Sequence, residues 1–166
     1  MGSYKRKVAM KTICTYLKDD HMRCDALFEQ AQASVAQGDW AQAEASFAGF
    51  CQALERHMAM EDTVLFPAFE AAIGSANGPT AGMRTEHRHI RGLVERLAES
   101  IRQRHVQYFF DHVDTFQMLM QQHNLKEEDM LYPLAERMLA SRANEIIGVM
   151  NALPAGTAKA RFNHHS

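Results

Sequence analysis

Apolar residues recur at intervals of three and four along almost the whole chain, and this spacing is that of one face of an α-helix. No stretch alternates apolar and polar residues between turn signals, so the pattern predicts an all-α protein. The most loop-like segment, residues 74–82, is rich in glycine, asparagine and proline. We expect one short helix within residues 140–156 and four long helices over about residues 8–37, 40–73, 81–104 and 106–139.

Six polar side chains lie within the apolar stripes of the four long helices. Each helix contributes one histidine, and the second and fourth helices each add a glutamate four residues later. Residues at i and i+4 share a face of a helix, so these side chains are expected to point into the same core as their apolar neighbours. The six are His21, His57, Glu61, His87, His123 and Glu127.

The helix boundaries and the stripes lead to more detailed expectations. Gly38 is expected to end the first helix, and Asp39 is a suitable N-cap for the second. The stripes of the second and fourth helices should continue at the same spacing beyond the glutamates. This spacing places four further residues on the core face, namely Val64, Ala68, Met130 and Leu134.

The chain contains an internal repeat. The sequence HMAMEDTVLFPAFE, which starts at His57, aligns with HNLKEEDMLYPLAE, which starts at His123, and both keep His, Glu, Leu, Pro and Glu at identical spacing. His21 and His87 are separated by the same 66 positions. Two copies of a helical hairpin are therefore predicted, packed about a pseudo-twofold axis as an up-down four-helix bundle with a short C-terminal helix.

Composition and charge exclude several classes of protein. The chain has 166 residues, 46% of them hydrophobic, and a formal net charge of −2 with scattered basic residues, so neither a nucleic acid nor an anionic membrane is favoured as a partner. No apolar run approaches the roughly 20 residues that a membrane span needs. We expect one soluble, cytoplasmic domain over residues 1–166, with a core bundle at about 8–140 and an extension at about 141–166.

The cysteines do not form a recognisable disulfide or metal pattern. Cys14, Cys24 and Cys51 are odd in number and lack CxxC spacing, which argues against a disulfide framework and against a thiolate zinc site. We therefore expect them to be reduced thiols of the core.

The six polar core residues indicate a metal site. A buried ionised carboxylate costs several kcal/mol unless it is paired or bound to a metal, and here two carboxylates and four imidazoles converge. Six ligands are too many for one tetrahedral zinc but suit two metals, if each metal takes two histidines and both glutamates bridge. Imidazole and carboxylate donors without thiolate favour iron or manganese.

These residues resemble the hemerythrin-like, or HHE cation-binding, domains. The resemblance covers about residues 10–140 and is carried by the motifs DDH (19–21), HxxxE (57–61), EHRHIR (86–91) and HxxxEExxLYP (123–133). It implies a non-haem centre of two iron ions with an oxo or hydroxo bridge, in which manganese or zinc could substitute. The implied ligands are His21, His57, Glu61, His87, His123 and Glu127, with the glutamates as bridges.

Two departures separate the chain from the oxygen-carrying hemerythrins. Those proteins have a fifth histidine where this chain has Arg91, and they have HxxxxD on the fourth helix where this chain has HxxxE. The set of four histidines and two glutamates is closer to the bacterial di-iron proteins linked to nitric oxide stress and to repair of iron–sulfur centres. Simple reversible carriage of O2 is therefore not the favoured function.

Four further residues are candidates to contact the ligands from outside. Asp20 and Glu86 directly precede two of the histidines, and Asp25 and Arg91 follow the same two histidines by four positions. A ligating histidine usually donates its second ring N–H to a carboxylate or carbonyl, so an acidic neighbour has a physical role.

The sequence leaves three functions open. The first is binding or sensing of O2 or NO, or a stress response of iron centres, at a di-iron site. The second is a di-iron enzyme that consumes O2, peroxide or NO, although no catalytic residue is recognisable. The third is a metal-stabilised interaction module. The oligomeric state is also left open.

Overall fold

The computed structural model describes residues 11–156, so the basic start of the chain and the histidines of its tail lie outside the described residues. This part of the chain forms α-helices and no strand, which confirms the predicted all-α class. No helix within residues 11–156 is long and apolar enough to cross a membrane. The α-helices are α1 (Ile13–Ala36), α2 (Trp40–Met60), α3 (Phe66–Ile73), α4 (Pro79–Arg102), α5 (Val106–Lys126), α6 (Tyr132–Met138) and α7 (Ala143–Asn151).

Local sequence signals define the ends of the first two helices. The Thr12 side chain accepts a hydrogen bond from the Thr15 N–H, and the Thr15 side chain accepts one from the Thr12 N–H; together they form a capping box. A helix from about residue 8 was predicted, and this is wrong at Lys11 and Thr12, which precede the capped start at Ile13. Residue 8 itself lies outside the described residues. Gly38 ends the first hairpin helix with a φ of +70°, and Asp39 accepts from the Gln42 N–H as the N-cap of α2, as predicted.

Two π turns interrupt the helices that were predicted to be continuous. They cover Glu61–Leu65, between α2 and α3, and Glu127–Leu131, between α5 and α6. The N–H of Phe66 donates to the carbonyl of the glutamate that begins the first turn, and Tyr132 does the same in the second turn. Each turn thus contains one residue more than an α-helical turn, and each begins at a predicted metal ligand.

Proline accounts for part of this local geometry. Pro67 and Pro133 lie in the first turn of the helices that follow, where they have no backbone N–H to donate to the carbonyl four residues earlier. The two prolines are equivalent in the internal repeat. The repeat therefore reproduces a local irregularity as well as the pattern of helices.

The extra residue shifts the buried face after each glutamate. Met130 is 52% exposed, so its predicted place in the core is wrong, while Leu131 and Tyr132 take the buried positions. The predicted stripe assumed α-helical spacing, and a π turn moves every later residue by about 100° around the helix axis. The other three residues predicted there are half-buried, namely Val64, Ala68 and Leu134.

The long helices pack as two hairpins. α1 packs on α2 and α4 on α5, and contacts of α2 with α4 and of α1 with α5 join the two halves. The connection between the two helices of each hairpin is short, so these two helices run antiparallel. The two hairpins together form a four-helix bundle. The turn at Gly38 has its repeat equivalent at Arg104, which also has a positive φ, of 53°.

Two apolar clusters fill the bundle, one on each side of the six polar residues predicted for the core. One contains Phe47 and Phe116, and the other contains Leu17, together with Ile146 and Met150 from α7. The short C-terminal helix was predicted, and it packs over the second cluster. The six polar residues therefore lie in a layer with apolar packing on both sides.

Candidate metal centre

All six residues nominated from the repeat lie in the interior of the bundle. Glu61 and Glu127 have no exposed surface, and the four histidines are at most 5% exposed. α1, α2, α4 and α5 each supply one histidine, and each π turn begins with one of the glutamates. Because the layer lies between two apolar clusters, water cannot neutralise these groups as it would on the surface.

The six residues form two groups that share a carboxylate. Donor atoms of Glu61, His87, His123 and Glu127 lie within 4.8 Å of one another, and so do those of His21, His57 and Glu127. Each group could hold a metal ion. We call the histidines on α1 and α2 the first pair, and the histidines on α4 and α5 the second pair.

Glu61 contacts one histidine of each pair. Its Oε1 lies 3.4 Å from Nε2 of His57 and 3.2 Å from Nε2 of His87. Glu127 does the same for the other two histidines, with its Oε1 3.1 Å from Nε2 of His21 and 3.1 Å from Nε2 of His123. Both carboxylates thus lie between the two groups.

The outward-facing nitrogens of the histidines meet a second set of carboxylates. Nδ1 of His57 lies 2.8 Å from Asp20 Oδ2, and Nδ1 of His87 lies 2.8 Å from Asp62 Oδ1. A ring that donates from Nδ1 keeps Nε2 free as an acceptor, which is the form that binds a metal. These two aspartates therefore orient their histidines towards the interior.

The other two histidines have longer contacts of the same kind. Nδ1 of His123 lies 3.6 Å from Glu86 Oε1, and Nδ1 of His21 lies 3.4 Å from Glu128 Oε2. Glu86 also accepts from Lys126 Nζ at 3.1 Å. The four carboxylates follow the repeat, because Asp20 is equivalent to Glu86 and Asp62 to Glu128, but only the aspartates are within ordinary hydrogen-bond distance.

Sequence reasoning nominated some of these outer residues and missed others. Asp20 and Glu86 were nominated and lie beside histidines, whereas Asp25 is exposed on α1. Arg91 donates to Glu55 and lies 3.6 Å from Asp62, so it contacts an outer carboxylate. Asp62 and Glu128 were missed, although an acidic residue directly after the glutamate of each HxxxE motif was a visible signal.

Tyr132 was also missed, and it lies among the six residues. Its hydroxyl donates to Glu61 Oε2 at 2.7 Å and lies 3.1 Å from Glu127 Oε1, and its ring stacks on that of His21. Burial and the charges of the two glutamates raise the pKa of the phenol well above its usual value. The LYP sequence after the second HxxxE motif was the available signal.

Burial and mutual interaction shift the pKa values of the two buried glutamates and of His21. Burial and the negative charge of Glu61 raise the pKa of Glu127 to about 8. Burial opposes ionisation of Glu61 as well, but His57, Glu127 and His87 outweigh it and hold the pKa of Glu61 well below its usual value. Burial and the charge of His57 lower the pKa of His21 to about 4. The residues therefore need protons or a cation to balance their charge.

Unpartnered polar atoms test whether a metal fits. Within residues 11–156, Glu61 Oε1, Glu127 Oε2 and His87 Nε2 are buried and have no hydrogen-bond partner. With Nδ1 of His87 donating to Asp62, Nε2 is an acceptor that faces a carboxylate oxygen across 3.2 Å. Two acceptors facing each other are satisfied by a cation between them, so the donor set fits a metal.

Comparison with known proteins gives the same assignment. The model of the hemerythrin HHE cation binding domain family matches residues 12–151, which is most of the chain. The chain belongs to the hemerythrin family. Neither the curated proteins nor the solved structures compared with the chain include a significant match. Membership in a cation-binding family and the buried histidines and carboxylates agree on metal binding.

A cavity of about 270 Å³ lies between α1 and α5 of this hemerythrin domain. Its apolar lining includes Cys24, Phe28 and Met120, and its polar lining includes Asp25 and Asn124. Cys24 is one turn from His21 on α1, and Asn124 directly follows His123 on α5. The lining therefore comes from the same stretches of α1 and α5 as these two histidines, although neither histidine lines the cavity.

The remaining histidines of the described chain lie elsewhere. His89 is exposed two residues from His87, and His105 accepts from the Tyr108 N–H as the N-cap of α5. The cysteines are free: Cys24 is buried, and the other two are half-buried. The metal-binding chemistry of this hemerythrin domain is therefore concentrated in one layer of the bundle.

Proposed function

We propose that this protein is a non-haem di-iron protein that binds O2 or NO and acts in sensing or in the stress response of iron centres. Each iron takes two histidines, His21 with His57 and His87 with His123. Glu61 and Glu127 bridge the two ions. Hemerythrin domains bind metal cations, and the proposal adds the number of ions, the ligand set and the small ligand.

The observation that carries the proposal is that two groups of donor atoms share Glu127 in a fully buried layer. One ion could not bind all six residues, because their donor atoms form two separate groups that share only Glu127 and neither group contains all four histidines. Two ions satisfy the unpartnered oxygens and nitrogens and replace the protons that the carboxylates otherwise need. Glu61 supports the same conclusion, since it contacts one histidine of each pair.

The donor set favours iron or manganese over a zinc or copper site built from thiolates. Imidazole and carboxylate without thiolate suit iron or manganese, and the thiols of this chain are not in the layer. Four histidines with HxxxE on both hairpins match the bacterial di-iron type more closely than the oxygen carriers, and this subtype is part of the proposal. Zinc binding would indicate a structural role for the metal.

The surroundings of the site favour a small neutral ligand. Apolar side chains lie on both sides of the layer, and the cavity between α1 and α5 combines apolar residues such as Phe28 and Met120 with polar residues such as Asp25 and Asn124. A diatomic molecule could use this cavity without ordering a loop.

The proposal is tested by the iron content of protein purified with iron available. We expect about two irons per chain, as the two groups require, and a change in the absorption spectrum on exposure to O2 or NO. The double variant His57→Ala, His123→Ala should lose the metal, whereas the matched variant His89→Ala, which removes an exposed histidine, should retain it.

Each outcome separates the proposed function from the alternatives. Wild-type protein with fewer than about one metal per chain, or unchanged metal in the double variant, would refute the di-iron site. Zinc in place of iron with no spectral response would support a metal-stabilised module instead. Steady consumption of O2, peroxide or NO by purified protein would identify an enzyme.

A further inference from the structure

The phenol oxygen of Tyr132 contacts donor atoms of four proposed ligands. Its Oη lies 3.2 Å from His21 Nε2 and 3.4 Å from His57 Nε2. It also lies 2.7 Å from Glu61 Oε2 and 3.1 Å from Glu127 Oε1. These four atoms include both histidines of the first pair and one oxygen from each bridging carboxylate.

The four distances match the spacing of neighbouring ligands around one octahedral ion. Ligand atoms about 2.1 Å from a metal and at right angles to each other are about 3.0 Å apart. In an octahedron every ligand has four such neighbours, and Oη has four neighbours at 2.7 to 3.4 Å. A hydroxyl that only supported one carboxylate would not need two imidazole nitrogens at the same spacing.

The π turn is what brings this oxygen to the site. Tyr132 follows Glu127 by five positions, and the hydrogen bond from its N–H to the Glu127 carbonyl closes the turn. Side chains at i and i+5 point in different directions on an α-helix but share a face across a π turn. The turn thus points the Glu127 carboxylate and the Tyr132 hydroxyl into the same layer.

The second half of the site lacks this hydroxyl. The repeat equivalent of Tyr132 is Phe66, which follows Glu61 by five positions and closes the other π turn. The Phe66 ring stacks on His87 with centroids 5.8 Å apart, and the Tyr132 ring stacks on His21 with centroids 5.6 Å apart. The two rings occupy equivalent places, so the phenol oxygen is what distinguishes Tyr132 from Phe66.

We propose that Tyr132 is a fifth protein ligand of the metal ion held by His21 and His57. This inference rests on the proposed di-iron function and makes the two metal positions unequal. The first ion has two histidines, two bridging carboxylates and the phenolate oxygen. The second ion has two histidines and the two carboxylates, so it has more open positions and is the one that binds an external ligand. As the metal–oxygen bond forms, Oη releases its proton to solvent, and the metal takes over that positive charge.

The test is the vibrational spectrum of the ferric protein. A phenolate bound to ferric iron absorbs visible light by charge transfer, and resonance Raman excitation in that band enhances the ring vibrations of the phenolate. We expect these vibrations in the wild-type protein, their loss in Tyr132→Phe, and their retention in Tyr108→Phe, where the altered ring is 38% exposed. Iron content is measured on the same samples.

A second variant keeps the test decisive if Tyr132→Phe does not load iron. The chain has four tyrosines, so replacing Tyr4, Tyr16 and Tyr108 with phenylalanine leaves Tyr132 as the only source of a phenolate. Persistence of the phenolate vibrations in this triple variant supports the proposal. Iron-loaded wild-type protein without these vibrations, or a Tyr132→Phe protein that retains them, overturns the proposal while leaving the di-iron function intact. A wild-type protein that binds no iron instead refutes the di-iron function itself.

Discussion

Asp20 and Asp62 should control the metal affinity of the centre although neither is a proposed ligand. Each carboxylate lies 2.8 Å from Nδ1 of a histidine, His57 for Asp20 and His87 for Asp62. Replacing either aspartate by asparagine keeps the volume of the side chain but removes its negative charge. The imidazole then becomes a weaker base at Nε2, and its orientation is less strongly fixed.

The size of the expected loss of metal affinity comes from metal sites in which a ligating histidine donates its second ring N–H to a carboxylate or carbonyl. Removing such a contact typically lowers metal affinity about 10- to 100-fold, which is about 1.4 to 2.7 kcal/mol. Glu86 and Glu128, at 3.6 Å and 3.4 Å from their histidines, are beyond ordinary hydrogen-bond distance. Glu86→Gln and Glu128→Gln should therefore lose less affinity than the two aspartate variants.

Affinity is measured by competition for ferrous iron against a chelator of known affinity, in the absence of O2. Asp25→Asn is the matched control, because Asp25 is an exposed aspartate of α1 at a position that the sequence also nominated. It should retain the wild-type affinity. The reasoning is refuted if Asp62→Asn binds iron as tightly as the wild type, or if Asp25→Asn loses as much affinity as Asp62→Asn.

Three further predictions concern stability and reactivity. Metal removal should destabilise the fold. At a free metal concentration of about 100 Kd, bound metal should raise the free energy of unfolding by about 2.7 kcal/mol, which corresponds to about 5 to 10 °C in the Tm measured by calorimetry. Equal melting temperatures for the loaded and metal-free forms would contradict burial of the carboxylates. Arg104 has a φ of 53°, so Arg104→Gly should raise the free energy of unfolding in urea by about 0.5 to 1 kcal/mol, whereas Gly38→Ala should lower it. Burial raises the pKa of the Cys24 thiol to about 11 and that of Cys51 to about 12, so at mildly alkaline pH iodoacetamide should modify the folded protein far more slowly than the urea-unfolded chain.

Much of the fold was predictable because the helices obey simple periodic rules. The spacing of apolar residues predicted the four long helices, and the motif at His57 and its copy at His123 predicted the two hairpins. Glycine and capping residues also act locally, so Gly38 and Asp39 marked the first turn correctly. None of these signals depends on how the helices pack.

The stripes were predicted less well beyond the glutamates. The π turns change the helical spacing by one residue, and a prediction that assumes constant spacing placed Met130 in the core, where the structure has Leu131. Proline at the repeat-equivalent positions was a visible warning of this irregularity. A one-residue change rotates the later part of the helix by about 100° and changes which residues reach the interior, and only packing decides which alternative is more stable.

The sequence by itself determined which residue types carry the chemistry of this hemerythrin domain. Histidine and glutamate on apolar stripes, repeated at a constant offset, imply a charged group in the core, because burial of these side chains is too costly without a partner. The tertiary structure alone decided which carboxylates face which histidines. Asp62 contacts His87 on another helix, and Tyr132 contacts residues from both halves, because contacts between helices depend on the crossing and rotation of the helices rather than on spacing within one helix.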